Sequence, residues 1–470
     1  MKKVLALGLL ALMIFSICSC AGTADDGNTV LDFTQNEVNE DWDGLKFTIV
    51  QTSLTDETYL YYKLDTLLAD SARQRVKDVE EKHNITISLK GYAEGDAFKA
   101  LLNATMITGE PMGDILFADP SQLRSFANAG GLTPIEAVSD YINIYDSDKW
   151  GESNAWEFMM CKGVMYGVVP FAWVGNAPYV FYPIIYNADI VRSFGLGDLR
   201  EYYETGEWSR EKMLDIAVQC TDNTLASPIK GMAACLKHFI RSALLSNGTQ
   251  FAVFSDDLQS YSCGWVSDAG IEALDWVKSV IDNYDDYFLN LTSTADDWGY
   301  TNNFNDNEAA MLLTASNRVL DEISYKVENF GLMPFPVGPY GTYGQWVGFY
   351  EGARNLCIPA YAAYPEASAI VINEIFEPLA EYPDKAAIDD YYVKLVYSDP
   401  RDVQLLNVMS SNCKYSFWPD GGDAVLNKLY TDLPKSSPIE LLESYGSLSD
   451  QCIVEQMIPS ILEVQRLLGE

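Results

Sequence analysis

The sequence predicts an α/β protein built on parallel sheets that are covered by helices on both faces. Three observations carry this expectation. Short β-rich runs alternate with helical stretches at the spacing of βαβ units. Hydrophobic residues make up 48% and charged residues 21% of the chain, proportions that exclude a largely disordered, collagen-like or multi-spanning membrane protein. A proline-rich run from Phe330 to Pro339 interrupts regular structure, because its prolines forbid a helix interior or a central strand. With domains of roughly 100 to 200 residues, 470 residues make about three domains or two large ones.

At the N-terminus, Lys2 and Lys3 precede an apolar run from Val4 to Ile17, about half the length needed to cross a bilayer. This reads as the n- and h-regions of a signal peptide spanning residues 1–19. The run closes in Ile17-Cys18-Ser19-Cys20-Ala21-Gly22, which resembles the bacterial lipobox and implies that Cys20 is the lipidated first residue of the mature protein. Residues 20–42 are small, polar and acidic, and read as a flexible tether. The expected location is the cell surface, on the outer face of the bacterial cytoplasmic membrane or its periplasmic side, with the membrane contacted through the lipid alone.

The first half of the body alternates strand and helix. Leu45 to Gln51 is a β-rich run; a helical stretch ending RQRVKDVEEKH follows, then Ile85 to Leu89 as a strand, Asp96 to Thr108 as a helix, Asp114 to Phe117 as a buried strand, and a helix across Gln122 to Asn128 stopped by Gly130-Gly131. Ligands of such sheets sit outside the carboxyl ends of the strands. That places Ser53 and Thr55 after the first strand, and Asp119 and Ser121 after Phe117, at a site; helix capping is the competing role for Asp and Ser there. The middle, about residues 184–324, is richer in helix, with Ser209 to Cys220, Lys237 to Ser246, and Ser267 to Asn283, where Ile271, Leu274, Val277 and Ile281 share one face. Asn355 to Pro359 is a further short strand, and the remainder is mostly helical.

Charge and motif content narrow the function. With 31 Lys+Arg against 67 Asp+Glu the formal charge is −36, a field that repels phosphate backbones and argues against nucleic-acid partners. Two histidines, His83 and His238, are too few for most imidazole-built metal sites or proton relays, and no metal or other cofactor is expected. Seven cysteines follow Cys20: Cys161, Cys220, Cys235, Cys263, Cys357, Cys413 and Cys452. An odd number leaves at least one unpaired, and their spacings contain no CxxC. Asp146, Asp148, Gly151 and Glu157 match a calcium-loop spacing, but Trp150 stands where an oxygen ligand is needed, so a solvated acidic loop is the reading. The doublets Asp256-Asp257, Asp285-Asp286, Asp296-Asp297 and Asp389-Asp390 could supply glycosidase carboxylates only if the fold set two of them about 5 to 9.5 Å apart. No Walker loop, G-x-S-x-G elbow or HExxH appears.

The order of several fragments resembles an extracellular solute-binding protein of the sugar-type ABC importer class, the group that includes maltose-binding proteins. The fragments are Gly113-Asp114-Ile115-Leu116-Phe117-Ala118-Asp119, Ala129 to Ile135, Tyr166-Gly167-Val168-Val169-Pro170, Ile184 to Asp189, Gly206-Glu207-Trp208-Ser209, Phe304 with Asn307-Glu308-Ala309-Ala310-Met311, and Phe330 to Pro339. The resemblance implies a two-lobe type II periplasmic-binding-protein fold with a hinge and a central ligand cleft. One lobe would comprise residues 43–172 plus 338–378, the other 184–333 plus 384–470. The lobes would close over the ligand by hinge bending, since the ligand contacts both only when closed. The implied function is non-enzymatic: a monomeric receptor that captures a carbohydrate, an oligosaccharide in the first instance, and delivers it to ABC permease subunits. A surface glycoside hydrolase and a receptor of the same fold for peptides or other polar solutes are the alternatives. Many members carry a stacking tryptophan just beyond the Ala-Ala-Met element, where this chain has Ser316 and Asn317; these two are kept as site candidates, and the aromatic plane that a sugar needs falls to Trp173, Tyr179, Trp346 or Trp418, with Glu351 and His238 as polar partners.

Overall fold

A computed structural model describes residues 41–51, 60, 67–92, 96–151, 153–173, 179–181, 183–255, 260–289, 291–292, 297–351, 354–412 and 420–469. The chain enters at Trp42, whose indole stacks on the buried His83 ring at 4.1 Å, while His83 Nε2 lies 2.8 Å from the Glu374 carboxylate. The strands in chain order are β1 (Lys46–Gln51), β2 (Thr86–Gly91), β3 (Ile115–Ala118), the hairpin β4 (Met160–Cys161) and β5 (Val164–Met165), β6 (Gly167–Val168), β7 (Tyr179–Phe181), β8 (Ile184–Asn187), β9 (Lys230–Ala234), the hairpin β10 (Ala252–Phe254) and β11 (Tyr261–Cys263), β12 (Phe288–Leu289), β13 (Ala309–Leu313), β14 (Phe330–Met333), β15 (Phe349–Glu351) and β16 (Asn355–Cys357).

Two five-stranded sheets form, ordered β2-β1-β3-β16-β6 and β12-β9-β13-β8-β14. Their topologies mirror each other. In the first, β1 runs parallel to β2 and β3, and β16 is antiparallel to both β3 and β6; in the second, β9 runs parallel to β12 and β13, and β8 is antiparallel to both β13 and β14. Each sheet thus receives its one antiparallel strand from chain arriving out of the other sheet. The chain between β6 and β8, and between β14 and β16, crosses twice, and the crossings pair with each other as the antiparallel ladder β7–β15. Central strands such as Ile115–Ala118 and Ala309–Leu313 are buried along their whole length, which is why they read as unbroken apolar runs rather than alternating ones. Gly113 enters β3 where a Cβ would come within 2.5 Å of Val50 Cγ2 and 2.8 Å of Thr48 O; only glycine permits that approach.

Helices cover both sheets. Pro365–Ile375 packs on Leu67–His83 in the first lobe. Pro400–Ser411 packs on β14 of the second, where buried Asp402 takes Arg200 Nε and Nη2 at 2.7 and 2.8 Å and the Leu332 amide at 3.0 Å. After Phe376 the chain runs from the helix Pro365–Ile375 to the helix Pro400–Ser411, and so passes to the second lobe a third time. The final helix departs from the expectation that residues 384–470 all stay with the second lobe: Ile458–Leu468 lies against Ser153–Met159 of the first. On its apolar side Ile458, Val464 and Leu467 pack against the buried cluster that includes Ala155, Trp156 and Phe158.

Cys220, Cys263 and Cys357 carry free thiols, and Cys413 lies outside the described residues. The calcium-like segment is a helix start: Asp146 accepts from the Lys149 amide at 3.3 Å, and Lys149 and Trp150 are buried. No helix among the described residues is long and apolar enough to cross a membrane.

Candidate functional site

Strand direction fixes where the two lobes face each other. The carboxyl ends of β1, β3 and β6, with the start of antiparallel β16, bring Gln51, Asp119, Val169-Pro170 and Arg354-Asn355 to one edge of the first sheet. The corresponding edge of the second presents Cys235 and His238 after β9, Thr314 to Arg318 after β13, and Pro183 before β8. The β7–β15 ladder pairs Glu351 with Tyr179 and Tyr350 with Val180 between these edges. Crossover topology of this kind sets ligands at the carboxyl edges.

Several candidates come together here. Asp119 caps the helix Pro120–Asn128 in a capping box: its carboxylate accepts from the Gln122 amide at 2.8 Å, and Gln122 Oε1 accepts from the Asp119 amide at 3.0 Å. The capping role therefore holds Asp119 in place at the edge, with Ser121 exposed two residues on. Ser316 is pinned to the hinge strand from both sides, its amide donating to Val180 O at 3.0 Å and its Oγ accepting from the Val180 amide at 3.2 Å. Asn317, half-buried, follows it. His238 sits half-buried in the first turn of the helix Leu236–Ser246 at the end of β9. Tyr179 and Glu351 are register partners in the ladder. Ser53, Thr55, Trp418 and Cys20 lie outside the described residues.

Two candidates are corrected. Trp173 has no exposed surface; its Nε1 donates to Glu377 O at 3.0 Å and its ring packs on Phe376 at 4.8 Å. Trp346 is 6% exposed and is met edge-on by Tyr343 at 4.7 Å and Tyr203 at 6.4 Å. A ring closed in by other side chains offers no face to a sugar, so both are packing residues that lock the crossings rather than stacking platforms.

Sequence reasoning missed Asn355. It pairs in register with Ala118 next to Asp119, is fully buried, and neither end of its amide has a hydrogen-bond partner. An asparagine opening a strand carries no functional signal in sequence; only register against β3 puts it at the edge. Gln51, also buried, ends β1 at the same edge. Of the acidic doublets, Asp285 and Asp286 are exposed, Asp390 pairs with Lys394 at 2.6 Å, and Asp389 accepts from Asn407 at 2.9 Å, while Asp256, Asp257 and Asp296 lie outside the described residues. The edges offer amides, hydroxyls, a carboxylate and the guanidinium groups of Arg318 and Arg354, a set suited to pairing the hydroxyls of a polar solute.

The sequence matches the family model described as bacterial extracellular solute-binding protein over residues 65–373, and no curated protein matches it. Among solved structures, the GacH receptor of Streptomyces glaucescens, determined unliganded and with acarbose, is similar at 15% identity and a TM-score of 0.63, covering 88% of this chain and 99% of that one. An ABC transporter solute-binding protein from Thermotoga lettingae bound to α-D-tagatose is 16% identical with a TM-score of 0.61, covering 87% and 100%. An ABC substrate-binding protein from Listeria monocytogenes in complex with cycloalternan is 16% identical with a TM-score of 0.60, covering 88% and 100%. These similarities establish the two-lobe type II periplasmic-binding-protein fold. With reciprocal strand exchange, a paired hinge and a polar cleft edge on each lobe, the chain belongs to the bacterial extracellular solute-binding protein family, a family of binding proteins and not of enzymes.

Proposed function

We propose that this protein is a lipid-anchored, monomeric extracellular receptor that captures a carbohydrate, most simply an oligosaccharide, and delivers it to the permease subunits of an ABC importer. The observation that carries the reading is the pair of polar sheet edges facing each other across the β7–β15 hinge. The similar structures hold tagatose, acarbose and cycloalternan, which supports a carbohydrate as the solute. A solute touching both edges stabilises the closed form by its contacts with the second lobe, and closure is the signal a permease can read.

Calorimetric titration with maltotetraose, cycloalternan, acarbose and D-tagatose, combined with product analysis, tests this. Saturable binding of at least one sugar without turnover is expected. Binding of a peptide mixture with no response to any sugar replaces the carbohydrate reading by the peptide one.

Anchoring rests on Cys20. Cys20→Ala moves the protein from the membrane to the soluble fraction on cell fractionation, and retention at the membrane would exclude the lipobox as the anchor.

A further inference from the structure

The helix that begins at Gly446 continues to Leu468 without a break: an α-helical part Gly446–Cys452, a π-helical turn Ile453–Met457, and a second α-helical part Ile458–Leu468. The two parts lie on different lobes. In the first part Ser449 and Cys452 are buried, and this part packs on hairpin strand β11 and on the helix Asp420–Asp432 in the second lobe. The adjoining Tyr445 donates to Asp432 at 2.8 Å in that lobe's helix Asp420–Asp432. In the second part, Leu467 O accepts from the Tyr145 hydroxyl at 3.3 Å. Gly163, in the turn of hairpin β4–β5, has φ +77° and meets Pro459 so closely that a Cβ would lie 2.6 Å from its carbonyl oxygen. That hairpin is fastened to the first lobe, where the Cys161 thiol donates to Arg124 O at 3.8 Å.

A helix docked at both ends couples the two bodies as a strut. Two lobes that hinge on β7–β15 can change their angle only if the strut undocks, slides or bends. A π turn is where a helix has surplus chain and weakened i→i−4 bonding, and this one lies between the two docked parts. We propose that the C-terminal helix is a fourth inter-lobe connector that limits how far the lobes open, and that the π turn Ile453–Met457 is the joint at which it flexes. The proposal rests on the hinge-closing reading of the fold but requires no identified solute, because it concerns the unliganded protein. With the strut docked, the open state is restrained, less conformational freedom is lost on closure, and solute affinity is correspondingly higher.

The test is small-angle scattering from the unliganded full-length protein and three variants: a chain ending at Met457; Gly163→Val, which drives a side chain into Pro459; and a one-residue deletion at Val454, which converts the π turn to an α turn and rotates the distal part by about 100° away from Tyr145. The expected result is a larger radius of gyration and a broader pair-distance distribution in all three, with a cooperative melt retained. Curves superimposable on the parent, or narrower distributions, overturn the strut. If the truncated chain shows no cooperative melt, the Gly163→Val and Val454-deletion proteins decide alone. Broadening in Gly163→Val without any change in the Val454 deletion overturns the π turn as the joint. Failure of every sugar to bind the parent would leave these scattering outcomes intact and would count against the carbohydrate reading alone.

Discussion

Trp173→Ala lowers the free energy of unfolding by about 3–5 kcal/mol and leaves solute affinity unchanged below its melting transition. The indole is fully buried against Phe376 and donates to Glu377 O, so truncation opens a large cavity and leaves a carbonyl short of its donor. Both losses fall where the first crossing meets the chain after the helix Pro365–Ile375, and neither lies on a cleft edge. Denaturant titration gives the stability change, and calorimetry at a temperature where the variant is folded gives the affinity. Weakened binding at full occupancy of the folded state would return Trp173 to the site. Trp346→Ala behaves likewise with a smaller loss, its ring retaining slight exposure.

Asp402→Ala costs about 3–5 kcal/mol, because it takes from the buried Arg200 guanidinium the carboxylate that both Nε and Nη2 bond and leaves Nε without an acceptor. Arg200 Nε and Nη2 both bond Asp402, its Nη1 bonds the Tyr186 hydroxyl at 2.9 Å, and Asp402 in turn holds the Leu332 amide. Burial pushes the Asp402 carboxyl up, while hydrogen bonds and charge from Arg200 pull against it. Pairing with the carboxylates outweighs burial at Arg200 and keeps the guanidinium firmly charged. The double variant Arg200→Met with Asp402→Leu recovers most of the loss, since apolar residues of similar size remove both charges together. A double variant no more stable than Asp402→Ala would show that the pair does more than satisfy itself.

Beside that pair, hydrogen bonds from Arg401 hold the Asp399 carboxyl down at about 2, burial opposing. An unfolded aspartate titrates near 3.9, so the stability this group contributes is fully present above about pH 5 and is lost as pH falls through 4 toward 2. Urea midpoints at pH 7 and pH 3 should fall further for the parent than for Asp399→Asn. Equal falls would remove Asp399 from the acid transition.

Much of the fold was legible because it rests on local rules. The runs Ile115-Leu116-Phe117 and Ala309 to Leu313 could only be strands buried on both faces. Asp119 with Gln122 announces a helix start, and the prolines between Met333 and Tyr340 announce a crossing. The order of such fragments was enough to point to the family. Single side chains were less legible. Trp173 and Trp346 flank the crossings in sequence, and nothing in sequence says which way an indole turns there. Asn355 reached the cleft edge only through its register with Ala118, and the final helix was assigned to the second lobe because sequence carries no mark of which amphipathic partner it meets.

The sequence by itself determined alternating α/β elements with their caps and proline breaks, because these are set by residues a few positions apart, and the order of its fragments pointed to the family whose fold implies two lobes joined by crossings. Tertiary structure alone decided that the crossing tryptophans are locked in packing, that Asp402 serves Arg200, and that the last helix spans both lobes. Those outcomes depend on which distant surfaces exclude water from each other, and burial of that kind is a property of the assembled chain rather than of any segment of it.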